Sequence, residues 1–253
     1  MNTATWQGFY ETDLQAAYAP LIVPMLFLVY RAARGRPGVG LLSSAARFVD
    51  GYAIVFALET MVDPLATGPL VRLLGIADGA GGTAVMLLFV LLGDFRVYLL
   101  LFGVIAIAAG GRWTSAVGTA VAWTFVVPIA AYGVNTALRA AVAGLDANSI
   151  WLVYEMLFVA VALTLRARLV PARVAPAQPA VRAFLRAALR YVAVYYGLWG
   201  VADALIQIGG LDVGWLLRVV PNQLYYAFWV PRIYATFFSR RYCSTRASTQ
   251  ALR

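Results

Sequence analysis

Residues 83–109 read TAVMLLFVLLGDFRVYLLLFGVIAIAA, and this stretch decides the class of protein. Its only charged side chains are Asp94 and Arg96, close to the middle. A helix needs about 20 apolar residues to cross the hydrocarbon core of a bilayer, so this segment is long enough to span a membrane. The sequence therefore predicts a transmembrane helix that carries two ionisable groups at depth.

Six other apolar segments predict, together with this one, an all-helical membrane protein of seven spans. Composition agrees, because 62% of the 253 residues are apolar and only 12% are charged. A soluble domain carries about 25% charged residues. The first two segments are short and are expected to extend into their flanks. By residue number, the seven segments are 16–30, 48–61, 83–109, 113–138, 149–169, 185–208 and 214–238.

Composition also excludes several kinds of site. The chain has no histidine and one cysteine, Cys243, which excludes histidine metal sites, haem ligation through imidazole and an intrachain disulfide. All 20 basic residues are arginine, so no lysine can form a Schiff base and a retinal-binding opsin is excluded. We expect no metal and no cofactor.

The arginines predict the orientation, because cytoplasmic loops of membrane proteins carry an excess of basic residues. We expect the N-terminus outside and the C-terminus inside a cytoplasmic (inner) membrane. The net charge of +9 is then mainly a topology signal, which favours the lipid bilayer as partner and argues against nucleic acid. With this orientation the external segments hold Glu11, Asp13, Asp78, Asp146 and Asp212, with only Arg72 and Arg139.

Two parts of the sequence echo one another. Residues 47–59 and 190–203 both begin with Arg, an aromatic residue and Val, and they end in Glu59 and Asp203. The pattern favours a parallel 3+1+3 repeat about an axis along the membrane normal. The predicted parts of this single membrane domain are a first half at 16–110, a connector helix at 113–138, a second half at 149–238, a cytoplasmic tail at 239–253 and a proline-rich linker at 170–179.

Polar side chains lie within the predicted spans, where a charged group costs about 2.5–3.5 kcal/mol on insertion scales. Most lie between the midplane and the external face, which predicts a pocket there, lined by the second, third, fifth, sixth and seventh segments. Two arginines can pair with two of the acids, so about two carboxyl groups are expected to stay unpaired and protonated. The candidates are Glu59, Asp63, Asp94, Arg96, Glu155, Asp203, Gln207, Arg218, Asn222 and Gln223.

Aromatic side chains are concentrated in the sixth and seventh segments. An aromatic face stabilises a cation, although helix packing explains these residues almost as well. Trp151, near the start of the fifth segment, is expected instead in the belt of aromatic residues at the membrane interface. The aromatic candidates for the pocket are Tyr195, Trp199, Tyr225, Tyr226 and Trp229.

Seven spans in 253 residues, with Glu59 in the second and Asp203 in the sixth, resemble the small integral-membrane terpene cyclases of fungal meroterpenoid and bacterial indole-terpenoid pathways. Those enzymes protonate an epoxide or terminal alkene of a prenyl chain, which then cyclises through carbocations. The resemblance implies a hydrophobic small-molecule substrate and metal-independent isomerase chemistry. It also implies Glu59 as the proton donor or its partner, and Asp203 as the second essential acid.

Two other functions remain open at this stage. The chain resembles a proton-coupled transporter of the SWEET or PQ-loop kind in its 3+1+3 layout and N-outside topology. Such proteins place Pro and Asn or Gln at matched positions of both halves, and here Pro221-Asn222-Gln223 fits one half while Gly93-Asp94 stands in the other. A seven-helix receptor or sensor would share the topology.

Overall fold

The computed structural model describes residues 5–34, 44–142 and 148–238, and the regular elements in these ranges are all helical. A short helix α1 comes first, and seven long helical segments follow it. The bounds are α1 Trp6–Tyr10, α2 Leu14–Arg34, α3 Ser44–Leu73, α4 Ala80–Ala108, α5 Trp113–Ala141, α6 Ser149–Arg173, α7 Pro179–Gln207 and α8 at 213–238.

Five of the long helices, α2 to α6, are long and apolar enough to cross a membrane, as expected of an integral membrane protein. Helices α7 and α8 have similar lengths but carry many of the tyrosines, arginines and amides, which lower their mean hydropathy. The two segments predicted at 16–30 and 48–61 extend at both ends, as expected. The predicted tail, 239–253, lies outside the described residues.

Four π-helical turns interrupt the long helices, and each contains a proline or lies within a few residues of one. The ring of a proline clashes with the carbonyl four residues before it, and a locally wider π turn gives that carbonyl room. In α6, for example, the N–H of Val170 bonds to the carbonyl of Leu165, just before Pro171. The four turns are Leu14–Tyr18, Ala66–Leu70, Leu165–Leu169 and Leu224–Phe228.

The linker predicted at 170–179 is shorter in the structure. Prolines in the stretch 170–179 were expected to end the fifth span at once. Instead, α6 continues to Arg173 and α7 already begins at Pro179, which leaves only 174–178 outside the helices. Pro171 therefore lies within α6, just after the π turn Leu165–Leu169.

The long helices follow one another around the bundle, so most of the packing joins helices that are adjacent in sequence. The circle closes where α8 packs on α2 and α3, and α4 also contacts α7. At one end, the guanidinium of Arg31 on α2 donates two hydrogen bonds of 2.6 Å to the Asp50 carboxylate on α3. At the other end, Asp212 accepts the backbone N–H of Trp6 at 2.7 Å, which holds α1 over the start of α8.

Close packing of α3 on α4 depends on Gly103. A Cβ at this position would lie 2.6 Å from the ring of Phe48. Gly103→Ala is therefore expected to lower the free energy of unfolding by about 1–3 kcal/mol, the usual cost of overpacking. The measurement is the midpoint of thermal unfolding in detergent.

Gly133→Ala on α5 is the matched control, because nothing lies within 4 Å of a Cβ added there. Alanine favours the helix by about 0.5–1 kcal/mol over glycine, so this variant is expected to be neutral or slightly more stable. Equal destabilisation of both variants, or none in Gly103→Ala, would contradict the close approach of α3 and α4.

Candidate functional site

A cavity of about 200 Å³ lies at the end of the bundle where α1 sits. Its walls come from α3, α4, α6, α7 and α8, which correspond to the five sequence segments from which a pocket was expected. Tyr10 of α1 adds a further wall residue. The lining side chains are Tyr10, Asp63, Thr67, Met86, Val90, Trp151, Tyr154, Glu155, Tyr196, Trp199, Arg218, Asn222, Tyr225 and Tyr226.

The predicted site residues divide into two groups around this cavity, all of them in the described part of the chain. Lining it are Asp63, Glu155, Trp199, Arg218, Asn222, Tyr225 and Tyr226. The side chains outside that lining are Glu59, Asp94, Arg96, Tyr195, Asp203, Gln207, Gln223 and Trp229. The two acids expected to be catalytic, Glu59 and Asp203, therefore both belong to the second group.

Arg96 is fully buried next to the cavity wall. Its Nη2 donates a hydrogen bond of 2.9 Å to the backbone carbonyl of Tyr225, and its Nη1 lies 3.5 Å from Oε2 of Glu59. Its guanidinium carbon lies 4.0 Å from the centroid of the Tyr225 ring, which adds a cation–π contact. Glu59 thus serves as the counter-ion of a buried arginine.

Tyr195 and Trp229 belong to the packed core beside Arg96. Both side chains are fully buried, and their ring centroids lie 6.2 Å apart in an edge-to-face contact. The indole N–H of Trp229 donates to the hydroxyl of Tyr52 at 2.9 Å, and that hydroxyl donates to the backbone carbonyl of Arg96 at 3.0 Å. These two aromatic candidates therefore pack beside Arg96, outside the lining of the cavity.

Asp94 holds two tyrosines of the cavity wall. The hydroxyl of Tyr154 donates to Oδ2 of Asp94 at 2.5 Å, and the hydroxyl of Tyr196 donates to Oδ1 at 2.9 Å. The neighbouring Gly93 lets α8 come close to α4, because a Cβ there would lie 1.5 Å from the hydroxyl oxygen of Tyr225. Asp94 and Gly93 together fix the positions of three aromatic wall residues.

A second ion pair joins α7 to α8 beside the cavity. Nη1 of Arg218 lies 3.0 Å from Oδ1 of Asp203, and Nε2 of Gln207 lies 3.5 Å from Oδ2 of the same carboxylate. The guanidinium carbon of Arg218 also lies 5.5 Å from the ring centroid of Tyr10. Asp203 thus holds Arg218 at the cavity wall while staying 1% exposed itself.

Glu155 and Asp63 are the acids of the cavity wall that take part in neither ion pair. Glu155 is 4% exposed, and its Oε2 is buried with no hydrogen-bond partner among the described residues. The hydroxyl of Thr67 donates to the backbone carbonyl of Asp63 at 2.8 Å and lies 3.4 Å from Oδ1 of the Asp63 carboxyl group. In the described ranges, no group of three His, Cys, Asp or Glu side chains could hold a metal ion.

Comparison with known proteins gives no match to any family model, curated protein or solved structure. The resemblance to membrane terpene cyclases is therefore carried by span number and the placement of acids.

Several wall residues were not among the predicted site residues. Tyr154 and Tyr196 each stand next to a predicted residue, but only their bonds to Asp94 show which way they point. Trp151, which was expected at the membrane interface, also lines the cavity. Tyr10 was missed because it precedes the first apolar segment. The remaining three are Thr67, Met86 and Val90.

Removal of the buried arginine is expected to cost more than removal of an exposed one. Arg96→Met leaves Glu59 buried without its cation, a change that typically costs about 3–5 kcal/mol of unfolding free energy. Adding Glu59→Gln is expected to restore part of that loss, because the uncompensated charge is then gone. The measurement is unfolding in detergent with both single variants and the double variant.

Arg72→Met is the control, because Arg72 pairs with Asp13 at an exposed position. Exposed ion pairs contribute about 0–1 kcal/mol, so this variant is expected to unfold almost like the parent protein. Strict additivity of Arg96→Met and Glu59→Gln would show that the two side chains do not interact.

Proposed function

We propose that the protein is a membrane-bound terpene cyclase, in which Glu155 protonates a linear prenyl or epoxyprenyl chain inside the cavity. The observation that carries this proposal is the Glu155 carboxyl, which lines an aromatic cavity with one oxygen buried and unpartnered. Such a group is suited to act as a general acid. The proton donor in this proposal is Glu155, and not Glu59 as the sequence resemblance implies.

The balance of charge supports an uncharged acid at this position. In and next to the cavity, the described residues include two guanidinium groups, Arg96 and Arg218, and five carboxyl groups, Glu59, Asp63, Asp94, Glu155 and Asp203. Arg96 and Arg218 are engaged by Glu59 and Asp203, and ionising a further carboxyl group away from water and without a cation is costly. We therefore infer that Glu155 carries its proton, and that Asp63 does so as well.

The aromatic walls suit the cations that such a reaction creates. Trp199 contacts Tyr225 with ring centroids 5.3 Å apart and Tyr196 with centroids 5.6 Å apart, and all three line the cavity. Ring faces attract a positive charge, with a gain of about 2 kcal/mol or more when water is excluded. A carbocation that moves along the chain would thus pass from one ring face to the next.

The reaction needs no reagent beyond the substrate. At an alkene, the π electrons take the Glu155 proton to form a C–H bond, which leaves a cation on the other alkene carbon. At an epoxide, the oxygen takes the proton and a ring C–O bond breaks, which leaves a hydroxyl group and a cation on the carbon. A second double bond of the chain attacks that carbon and closes a ring. A neighbouring carbon then loses a proton to the Glu155 carboxylate, which restores the acid. The product is an isomer of the substrate.

We also propose that the chain crosses the membrane seven times, with its N-terminus outside. Helix α7 has 29 residues and is about 43 Å long at about 1.5 Å per residue, more than a hydrocarbon core of about 30 Å requires. It buries Asp203 and Tyr196 while exposing Val194 and Val201, which is the pattern of a helix whose outer face meets lipid. The concentration of arginines at one end supports the orientation.

Proton-coupled transport of a small solute is the second candidate. The π turn Leu224–Phe228 favours it, because Tyr225 and Tyr226 of the cavity wall lie in that turn. Helices bend at such turns, and a transporter needs its wall to move. Glu155 and Asp63 would then be the groups that carry the proton.

The test uses membranes that contain the protein and a panel of linear prenyl chains, some epoxidised and some attached to an indole or a phenol. Mass spectrometry is expected to find a product of unchanged mass and altered retention time. Glu155→Gln is expected to lower the rate by at least about 100-fold, the usual contribution of a general acid. Glu11→Gln makes the same change at an exposed position and is expected to keep full activity.

Full activity of Glu155→Gln would overturn the assignment of the donor. The absence of an isomeric product across the panel, together with proton-driven solute uptake by vesicles that is lost in the same variant, would establish the transporter in place of the cyclase.

A further inference from the structure

A second cavity, of about 210 Å³, lies between the first half of α7 and the last turns of α8. It shares no lining residue with the first cavity, so an inference about it does not depend on the proposed function. Two arginines, Arg190 of α7 and Arg232 of α8, line it from opposite helices. Tyr191 and Val194 are among its other lining residues.

We propose that this groove binds an anionic phospholipid, with the headgroup phosphate between Arg190 and Arg232 and an acyl chain along Val194. Guanidinium groups bind phosphate oxygens with paired hydrogen bonds. Basic pockets between transmembrane helices are a recurrent form of binding site for anionic headgroups.

The charges at this end of the bundle favour the binding of an anion from outside the protein. Both lining arginines are exposed, and the described ion pairs do not include them. Asp50 is the acid that the described residues place at this end, and Arg31 already engages both of its oxygens. A lipid phosphate supplies the missing negative charge.

The depth of the groove suits a lipid better than a soluble anion. Arg190 lies about 17 Å along α7 from its first residue, at about 1.5 Å per residue, so its long side chain can reach the headgroup level. Val194 lies one turn deeper and is 47% exposed, which leaves an apolar surface for an acyl chain. Tyr191 is held as a wall between them, because its hydroxyl donates to the carbonyl of Leu224 at 2.9 Å.

The test is titration of the purified full-length protein in detergent with phosphatidylglycerol or phosphatidylcholine, read by native mass spectrometry. The double variant Arg190→Gln/Arg232→Gln is expected to bind phosphatidylglycerol at least about tenfold more weakly. The control double variant Arg47→Gln/Arg112→Gln removes the same charge at the same end, outside the groove, and is expected to bind within about twofold of the parent protein.

Val194→Trp tests the groove without changing charge. The larger side chain is expected to fill the apolar part of the cavity and to weaken binding of phosphatidylglycerol, while both arginines remain.

Equal losses in the two double variants would overturn the proposal in favour of general surface charge. Equal affinity for phosphatidylcholine would also overturn it, as would displacement of the lipid by glycerol phosphate at comparable concentrations, which would indicate a soluble phosphate as the ligand.

Discussion

A permanently charged guanidinium in the middle of an apolar bundle is the constraint on which the site depends. Arg96 cannot lose its proton at any physiological pH, so the fold has to surround it with acceptors. It does so with the Glu59 carboxylate, the backbone carbonyl of Tyr225 and the Tyr225 ring, which come from α3 and α8. The same contacts place Tyr225 on the cavity wall, so one buried charge joins three helices and orients an aromatic face.

Arg96 pairs with Glu59 and Arg218 pairs with Asp203, and the other acids next to the cavity have different environments. Asp94 is satisfied by two tyrosine hydroxyls, which it holds in the wall. Glu155 and Asp63 line the cavity outside both ion pairs. The acids that hold the architecture together and the acids that face the cavity are therefore different residues, and a proton donor is expected among the latter.

The sequence could predict the helical class and the five helices that line the cavity, because span length and the depth of polar residues can be read along the chain. It could not predict which acid faces the cavity. Segments such as 83–109 are apolar on all sides, so periodicity does not show which face is buried. Glu59 and Glu155 look alike in sequence, and only the arrival of Arg96 beside one of them separates their roles. The fifth span was predicted to end before Pro171, but α6 continues past this proline because a π turn lies just before it.

Infrared spectroscopy of the carboxyl groups addresses the division between paired and unpaired acids. The C=O stretch of a protonated carboxylic acid is distinct from that of a carboxylate. At neutral pH, the protein is expected to show a protonated band that Glu155→Gln weakens and Glu59→Gln leaves intact. A spectrum without that band, or a band that disappears in Glu59→Gln and persists in Glu155→Gln, would contradict this account of the site.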